Sequence, residues 1–494
     1  MNLSLRDAKT ITTLFSRSKS NPFLPYALLA LIIAAITSYT NFGHTTGDEY
    51  SQIFEFGAYK LGNVSQSDLR YEFNTQMRPS IQGWAIVAAY RLAGFITNDV
   101  NPFYVNYLIN FLSGAFCIFS ICVFTKSFLP RVEPKYQKPL IILSLFSWLV
   151  LYTNVHFNSE NISGHLLLLA VGLLYPKLSN PGKGWALGIG AILGLAFSCR
   201  FQIGFAILGL MIWLLVYDFR AKRILNWSLV ALGMALSILI FNVVADYYFY
   251  GNLVFTTYNY FYQNIVTGMM NRWAGVSPWF TYFITVSFYL PFGPIYVIAA
   301  VYYLIRYPRD LISGIVGFFV LLHMLIGHKE ARFLLPMLGF APVMILVTLQ
   351  DWEKRFSSLR LHSQKAIKAL WIANIIACVT LLIPAATEVN AWRFLHNHYK
   401  RPTVLYYYAS PNQKLLYYKK ANLELVTYKP GEATPLRPGY NCLIAFDANS
   451  RESKLPLPLV YSFFPPFLEA ILPDFIKRTV GHFNIYELQN VEAD

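Results

Sequence analysis

Two short stretches of this chain gather side chains able to do chemistry. "TTGDEYSQ" holds the adjacent carboxylates Asp48 and Glu49, and "HKEARF", residues 328–333, brings His328, Lys329, Glu330 and Arg332 close together. A carboxylate can take a proton from an attacking hydroxyl, and cations can stabilise an anion as it leaves. Asp48 is the candidate base, with Glu49 the competing choice. Arg200, His328, Lys329 and Arg332 are the candidate anion-binding cations. Glu330 does not fit a purely cationic, anion-binding role, so its expected role is to hold Lys329, Arg332 or Arg200 in place by charge pairing. Arg78 and Asp246 are expected to contact an acceptor or to orient loops. Plainer alternatives stand beside these. Asp48 could cap a helix beginning at Glu49, His328 could be a hydrogen-bonded structural residue, and the whole run could be a snorkelling interfacial collar.

The elements that must position these residues follow from composition. The chain has 494 residues, 55% hydrophobic and 17% aromatic with 13% charged, and a mean hydropathy of +0.42. That places it among polytopic membrane proteins. Apolar runs that approach or reach the roughly 20 residues a membrane helix needs occur near 24–42, 103–125, 139–155, 162–176, 185–199, 202–217, 227–248, 280–305, 311–327, 333–350 and 366–386, about eleven spans. The amphipathic piece 82–97 carries Arg91 and reads as interfacial or re-entrant. Arg200 divides the nearly continuous stretch 185–217 into two short helices.

The net charge of +15 is not the footprint of a nucleic-acid binder, because of where it sits. Basic clusters beginning at Arg6, Lys126, Lys177, Arg220, Arg306 and Lys354 all fall, with eleven spans, on the side of the N-terminus. The positive-inside rule puts that side in the cytoplasm. The opposite connections hold Asp48, Glu49, Glu72, Arg78, Glu160, Arg200, Asp246 and the 328–332 run, which implies an outward-facing active or binding site. The first apolar run reads as a signal anchor.

Residues 1–387 are thus expected to form a membrane module. Residues 388–494 change character, with the strand-like runs "TVLYYYA", "LELVTYK", "NCLIAFD" and "HFNIYEL" and a helical "PFLEAILPDFIKR". They read as a small α/β domain on the outer side. The five cysteines make neither a disulfide framework nor a CxxC pair. No H-E-x-x-H or DxD element is present, so no metal or other cofactor is expected.

In its motifs the chain resembles the dolichyl-phosphate-mannose-dependent mannosyltransferases of GPI-anchor and N-glycan assembly, with the GPI third-mannose enzymes nearest. "HKEARF" fits that family's HKExRF signature. "GDEYSQIFEFGAYKLG" is similar to its DE-x-x-Q element followed by Glu55, and "YEFNTQMRPS", "DYYFYGNLVFTTYNYFYQN" and "GVSPWFTYF" resemble further elements in the same order. The sequence departs in having Thr46-Gly47 where His-Pro commonly precedes the acidic pair, and Pro79 after Arg78. The resemblance covers most of residues 40–345 and implies a GT-C fold. It also implies metal-independent, inverting transfer of mannose from a dolichyl or other polyprenyl phosphate to a lipid-linked glycan at the membrane's non-cytoplasmic face. Compact connections and the motif departures favour a bacterial inner membrane over the ER. The rivals are a GT-C transferase for another sugar, such as arabinose, and a transporter or flippase, which would show internal repeats and paired broken helices.

Overall fold

The apolar runs fold as helices, but many are interrupted before they reach membrane length. The computed structural model describes residues 23–97, 100–178, 182–217, 224–289, 293–356, 359–407, 415–427, 434–447, 457–462 and 483–488. Among these, three helices are long and apolar enough to cross a bilayer: Pro102–Arg131, Ile224–Tyr250 and Ala331–Arg355. Gly293–Arg306 and Leu311–Leu325 pass together but are bent by 118° at their break. Leu24–Thr40, Ile81–Ile96, Lys183–Cys199, Phe201–Tyr217 and Ile367–Leu382 are shorter apolar helices. Helix length and composition therefore give three spans, or four with the bent pair, where hydropathy led us to expect about eleven.

The interruptions have local causes. The 139–155 run breaks at Ser147, whose extended backbone separates Pro134–Phe146 from Trp148–Asn154. The expected break at Arg200 is present: Lys183–Cys199 ends there, Arg200 is extended, and a 3₁₀ turn, Phe201–Ile203, leads into Gly204–Tyr217. The basic clusters at Arg6 and Arg220 lie outside the described residues.

The chain divides into two compact units. The first comprises Met1–Ser38, Arg70–Ala85 and Ile109–Leu382. Its centre is helix Ser159–Leu174, wholly apolar from Leu166 onward and buried along almost its whole length, as a helix enclosed by others must be. Gly164 lets this helix lie directly against the ten-residue 3₁₀ segment Ala331–Phe340. A Cβ at Gly164 would stand 2.5 Å from the Cα of Pro336, so a larger residue would push the two backbones apart. Helices Lys183–Cys199 and Ile224–Ile238 approach as closely: a Cβ on Gly190 would meet the Val230 carbonyl oxygen at 2.0 Å, and one on Gly233 the Leu187 carbonyl oxygen at 2.1 Å. Small residues at such crossings let backbones touch where lipid offers no hydrophobic drive to association.

The second unit comprises Tyr39–Leu69, Ile86–Leu108 and Ile383–Asp494. Its sheet has strands β1 (Thr403–Tyr407), β2 (Leu423–Thr427), β3 (Asn441–Asp447), β4 (Leu459–Tyr461) and β5 (Phe483–Glu487), in the order β2-β1-β3-β5-β4. β1 pairs in parallel with β2 and β3, while β5 runs antiparallel to β3 and β4. Every residue of β1 is buried, as suits a strand flanked by parallel partners. The four sequence-predicted strands are β1, β2, β3 and β5. β4, of three residues, was not foreseen. The helix expected near 465–478 lies outside the described residues.

This unit also holds the acidic pair. Helix Gly47–Glu49 continues through a π-helical turn, Tyr50–Phe54, into Glu55–Lys60. The π turn lets Tyr50 and Phe54 meet the 3₁₀ turn Leu416–Tyr418. The Tyr50 hydroxyl accepts from the Tyr417 backbone N–H at 2.9 Å, Phe54 packs edge-on to Tyr417, and Tyr418 stacks on Phe103 and Tyr50.

Candidate active site

In the first unit His328 and Arg332 of the 328–332 run meet Arg200 around one aromatic ring, Phe333, and two carboxylates, Glu160 and Glu330. Leu311–Leu325 ends in an irregular stretch through Glu330, whose extended backbone precedes Ala331–Phe340. Arg332 grips Glu330 with two hydrogen bonds, Nε to Oε2 at 2.6 Å and Nη2 to Oε1 at 3.0 Å. His328 Nε2 lies 2.9 Å from the same Oε1. Glu330 thus pairs with Arg332 and His328.

Lys329 turns elsewhere: its ammonium donates to the Ser277 carbonyl at 3.0 Å and to that of Ile326. The Ser277 N–H in turn donates to the Gly327 carbonyl at 2.9 Å. Partial burial lowers the Lys329 pKa below the ordinary lysine range, so its charge is lost at a lower pH than that of an exposed lysine.

Arg200 reaches the same cluster from the helix break. Its Nη2 stands 3.2 Å from Glu160 Oε1, and its Nη1 donates to the Ser159 hydroxyl at 3.4 Å. Arg332 Nε lies 3.8 Å from that same Glu160 oxygen. Both guanidiniums lie over the Phe333 ring, at 5.3 Å for Arg200 and 5.6 Å for Arg332. The ring's negative face and the Glu160 carboxylate offset the repulsion between two cations held this close. Glu160 sits in the first turn of Ser159–Leu174, whose cap Asn158 accepts from Asn161 N–H at 2.8 Å. The sequence placed Glu160 on the outer side but gave it no part in the site.

Arg78 and Asp246 form a separate group in the same unit. Arg78 pairs with Glu72 at 3.1 Å and lies over the Tyr260 ring, and its carbonyl accepts from the Tyr250 hydroxyl at 2.7 Å. Asp246 is fully buried. One of its oxygens accepts from the Ser80 N–H and hydroxyl at 2.8 and 2.6 Å, the other from the Thr256 hydroxyl at 2.7 Å. These bonds clamp residues 80 and 256 onto helix Ala245–Tyr250, an arrangement suited to orienting loops. Ser80 and Thr256 carry no signal in the sequence that marks them as partners.

In the second unit the two acids differ sharply. The helix is capped by Thr46, whose hydroxyl accepts from Glu49 N–H at 3.3 Å. Asp48 is inside the first turn and does not cap it. Glu49 is 1% exposed and folds back so that one oxygen accepts from the Thr45 N–H at 2.7 Å and hydroxyl at 2.9 Å, close to a capping box. Asp48 is partly buried. Of the pair, Asp48 is the less buried.

A model of the Alg9-like mannosyltransferase family matches residues 26–398. The chain belongs to the Alg9-like mannosyltransferase family. Within it, GPI mannosyltransferase 3 of Candida albicans is 25% identical over 290 residues, 58% of this chain and 55% of that protein. Alpha-1,2-mannosyltransferase ALG9 of Mus musculus is 32% identical over 163 residues, 30% of this chain and 25% of that protein. The matched stretches span about half of the first relative and a quarter of the second. Among solved structures, ArnT from Cupriavidus metallidurans bound to undecaprenyl phosphate superposes with a TM-score of 0.54 at 12% identity, covering 95% of this chain and 98% of that one. At that identity the likeness concerns the fold: this Alg9-like chain is a mostly helical GT-C protein with a small sheet. The matched region 26–398 includes Asp48, Arg200 and the 328–333 signature.

Proposed function

We propose that this chain is a membrane glycosyltransferase that moves mannose from a polyprenyl phosphate to a lipid-linked glycan on the non-cytoplasmic face, with inversion at the anomeric carbon. Asp48 takes the proton of the acceptor hydroxyl as its oxygen bonds to C1 of mannose. The bond from C1 to the phosphate oxygen breaks, and the electron pair stays on the phosphate. Arg200 and Arg332 meet that charge, with Lys329 and His328 in support, and Asp246 and Arg78 orient the loops around the acceptor. Residues 1–387 form the catalytic module and 388–494 an extracytoplasmic domain, with the N-terminus in the cytoplasm of a bacterial cell.

The observation that carries this reading is the meeting of Arg200 and Arg332 on Glu160 and Phe333, which brings two cations from distant parts of the sequence to one point. Family membership supports the sugar, and the undecaprenyl phosphate in the ArnT structure's name supports the donor class. The test is transfer by purified protein from a panel of polyprenyl phosphate sugars presented one at a time. Mannose is expected to be transferred and arabinose not. Transfer from a non-mannose donor alone would overturn the substrate assignment.

A further inference from the structure

The charge balance of the Arg200–Arg332 cluster raises a problem for donor binding. Two guanidiniums face two carboxylates, Glu160 and Glu330, so the cluster's arginine and glutamate charges already cancel. A polyprenyl phosphate sugar is a phosphodiester carrying one negative charge. It gains full use of the arginines only if one carboxylate yields its place.

The two carboxylates are unequally placed to do so. The Glu160 side chain is 4% exposed. It is fixed in the first turn of a buried helix by the Asn158 cap and by the close crossing at Gly164, and it reaches both Arg200 and Arg332. Moving it away would leave two like charges together in a poorly solvated place. The Glu330 side chain is 32% exposed and lies in an irregular stretch between two helical segments. Its forked pairing with Arg332 is the geometry a phosphate offers to a guanidinium.

We infer that the two acids have opposite duties: Glu160 is a positioning residue that stays and aligns both arginines, whereas Glu330 is a resident anion that the donor phosphate displaces from Arg332. The exchange is one negative charge for another, so binding leaves the cluster balanced. When the bond from C1 to the phosphate oxygen breaks, the new charge on phosphate falls on arginines already aligned by Glu160. This inference rests on the donor reading above.

The test compares full-length wild type, Glu330→Gln and Glu160→Gln in detergent. It measures binding of polyprenyl phosphate without sugar, kcat and KM for polyprenyl phosphate mannose, and thermal unfolding. Glu330→Gln, which weakens the competitor, is expected to bind polyprenyl phosphate roughly three- to tenfold more tightly, with a donor KM lowered in parallel. Glu160→Gln is expected to lower kcat roughly ten- to a hundredfold through misaligned arginines without lowering the donor KM. Should Glu160→Gln fail to fold, Glu160→Asp keeps the charge on a shorter arm, and a lowered kcat at unchanged donor KM gives the same support. Weaker or unchanged binding in Glu330→Gln, or an unchanged kcat in the folded Glu160 variant, overturns the inference. Wild type that neither binds polyprenyl phosphate nor transfers sugar overturns the donor reading and this inference with it, an outcome visible before any variant is compared.

Discussion

Asp48→Asn is expected to lower mannose transfer by roughly 10²- to 10⁴-fold, the range that a positioned general base contributes, while leaving the folded protein intact. The two halves of this expectation have separate grounds. The acceptor hydroxyl must lose its proton as it attacks, and an amide has no basic oxygen to take it. The fold should tolerate the change because the helix start does not depend on Asp48. Thr46 provides the cap, and the inward acid of the pair is Glu49, bonded to the Thr45 backbone and hydroxyl. Glu49→Gln serves as the matched control, since it weakens that bonding and acts on folding. The measurement is kcat with saturating donor and acceptor, alongside a thermal unfolding curve. Retained transfer in Asp48→Asn would move the base elsewhere.

Arg332→Lys is expected to cost roughly 10²- to 10³-fold in kcat/KM for the donor, comparable to removing one preorganised charge-stabilising donor from a transition state. Lysine keeps the positive charge but cannot make the planar fork that Arg332 makes with Glu330 while also standing over Phe333 and near Glu160. Lysine is the informative replacement. Alanine would leave Glu160 and Glu330 short of a counter-charge and destabilise the protein by about 3–5 kcal/mol, as breaking a buried pair does. Donor kinetics of the folded lysine variant test the expectation, and a kcat/KM near wild type would remove Arg332 from the phosphate site.

Much of the organisation was legible in the residues. Apolar runs marked where helices form, the lone Arg200 marked a real break, and the 328–332 run does open a long apolar helix. Alternating and aromatic runs marked four strands of the small sheet. What escaped depended on contacts between distant segments or on backbone detail. Hydropathy counts residues rather than continuous turns, so it could not see the extended Ser147 that cuts the 139–155 run short. The three-residue β4 is too brief to alternate visibly. Capping stood as the alternative role for Asp48 because acids cap helices well, but Thr46 two residues earlier takes that place. Glu160 could be assigned to a side of the membrane but not to a partner. Arg332 is brought near it where Gly164 lets helix Ser159–Leu174 cross Ala331–Phe340 at backbone contact, and no local pattern announces such a crossing.

The most direct measurement follows one labelled sugar. Purified protein is reconstituted into vesicles with polyprenyl phosphate carrying radiolabelled mannose and a lipid-linked glycan acceptor, and the products are separated and their anomeric linkage determined. Movement of label into an α-linked mannoside on the acceptor, slowed at least roughly a hundredfold in folded Asp48→Asn and Arg332→Lys, is the predicted result. Label that crosses the bilayer yet remains on polyprenyl phosphate, with no glycosidic product, would contradict it and make the protein a carrier rather than a transferase.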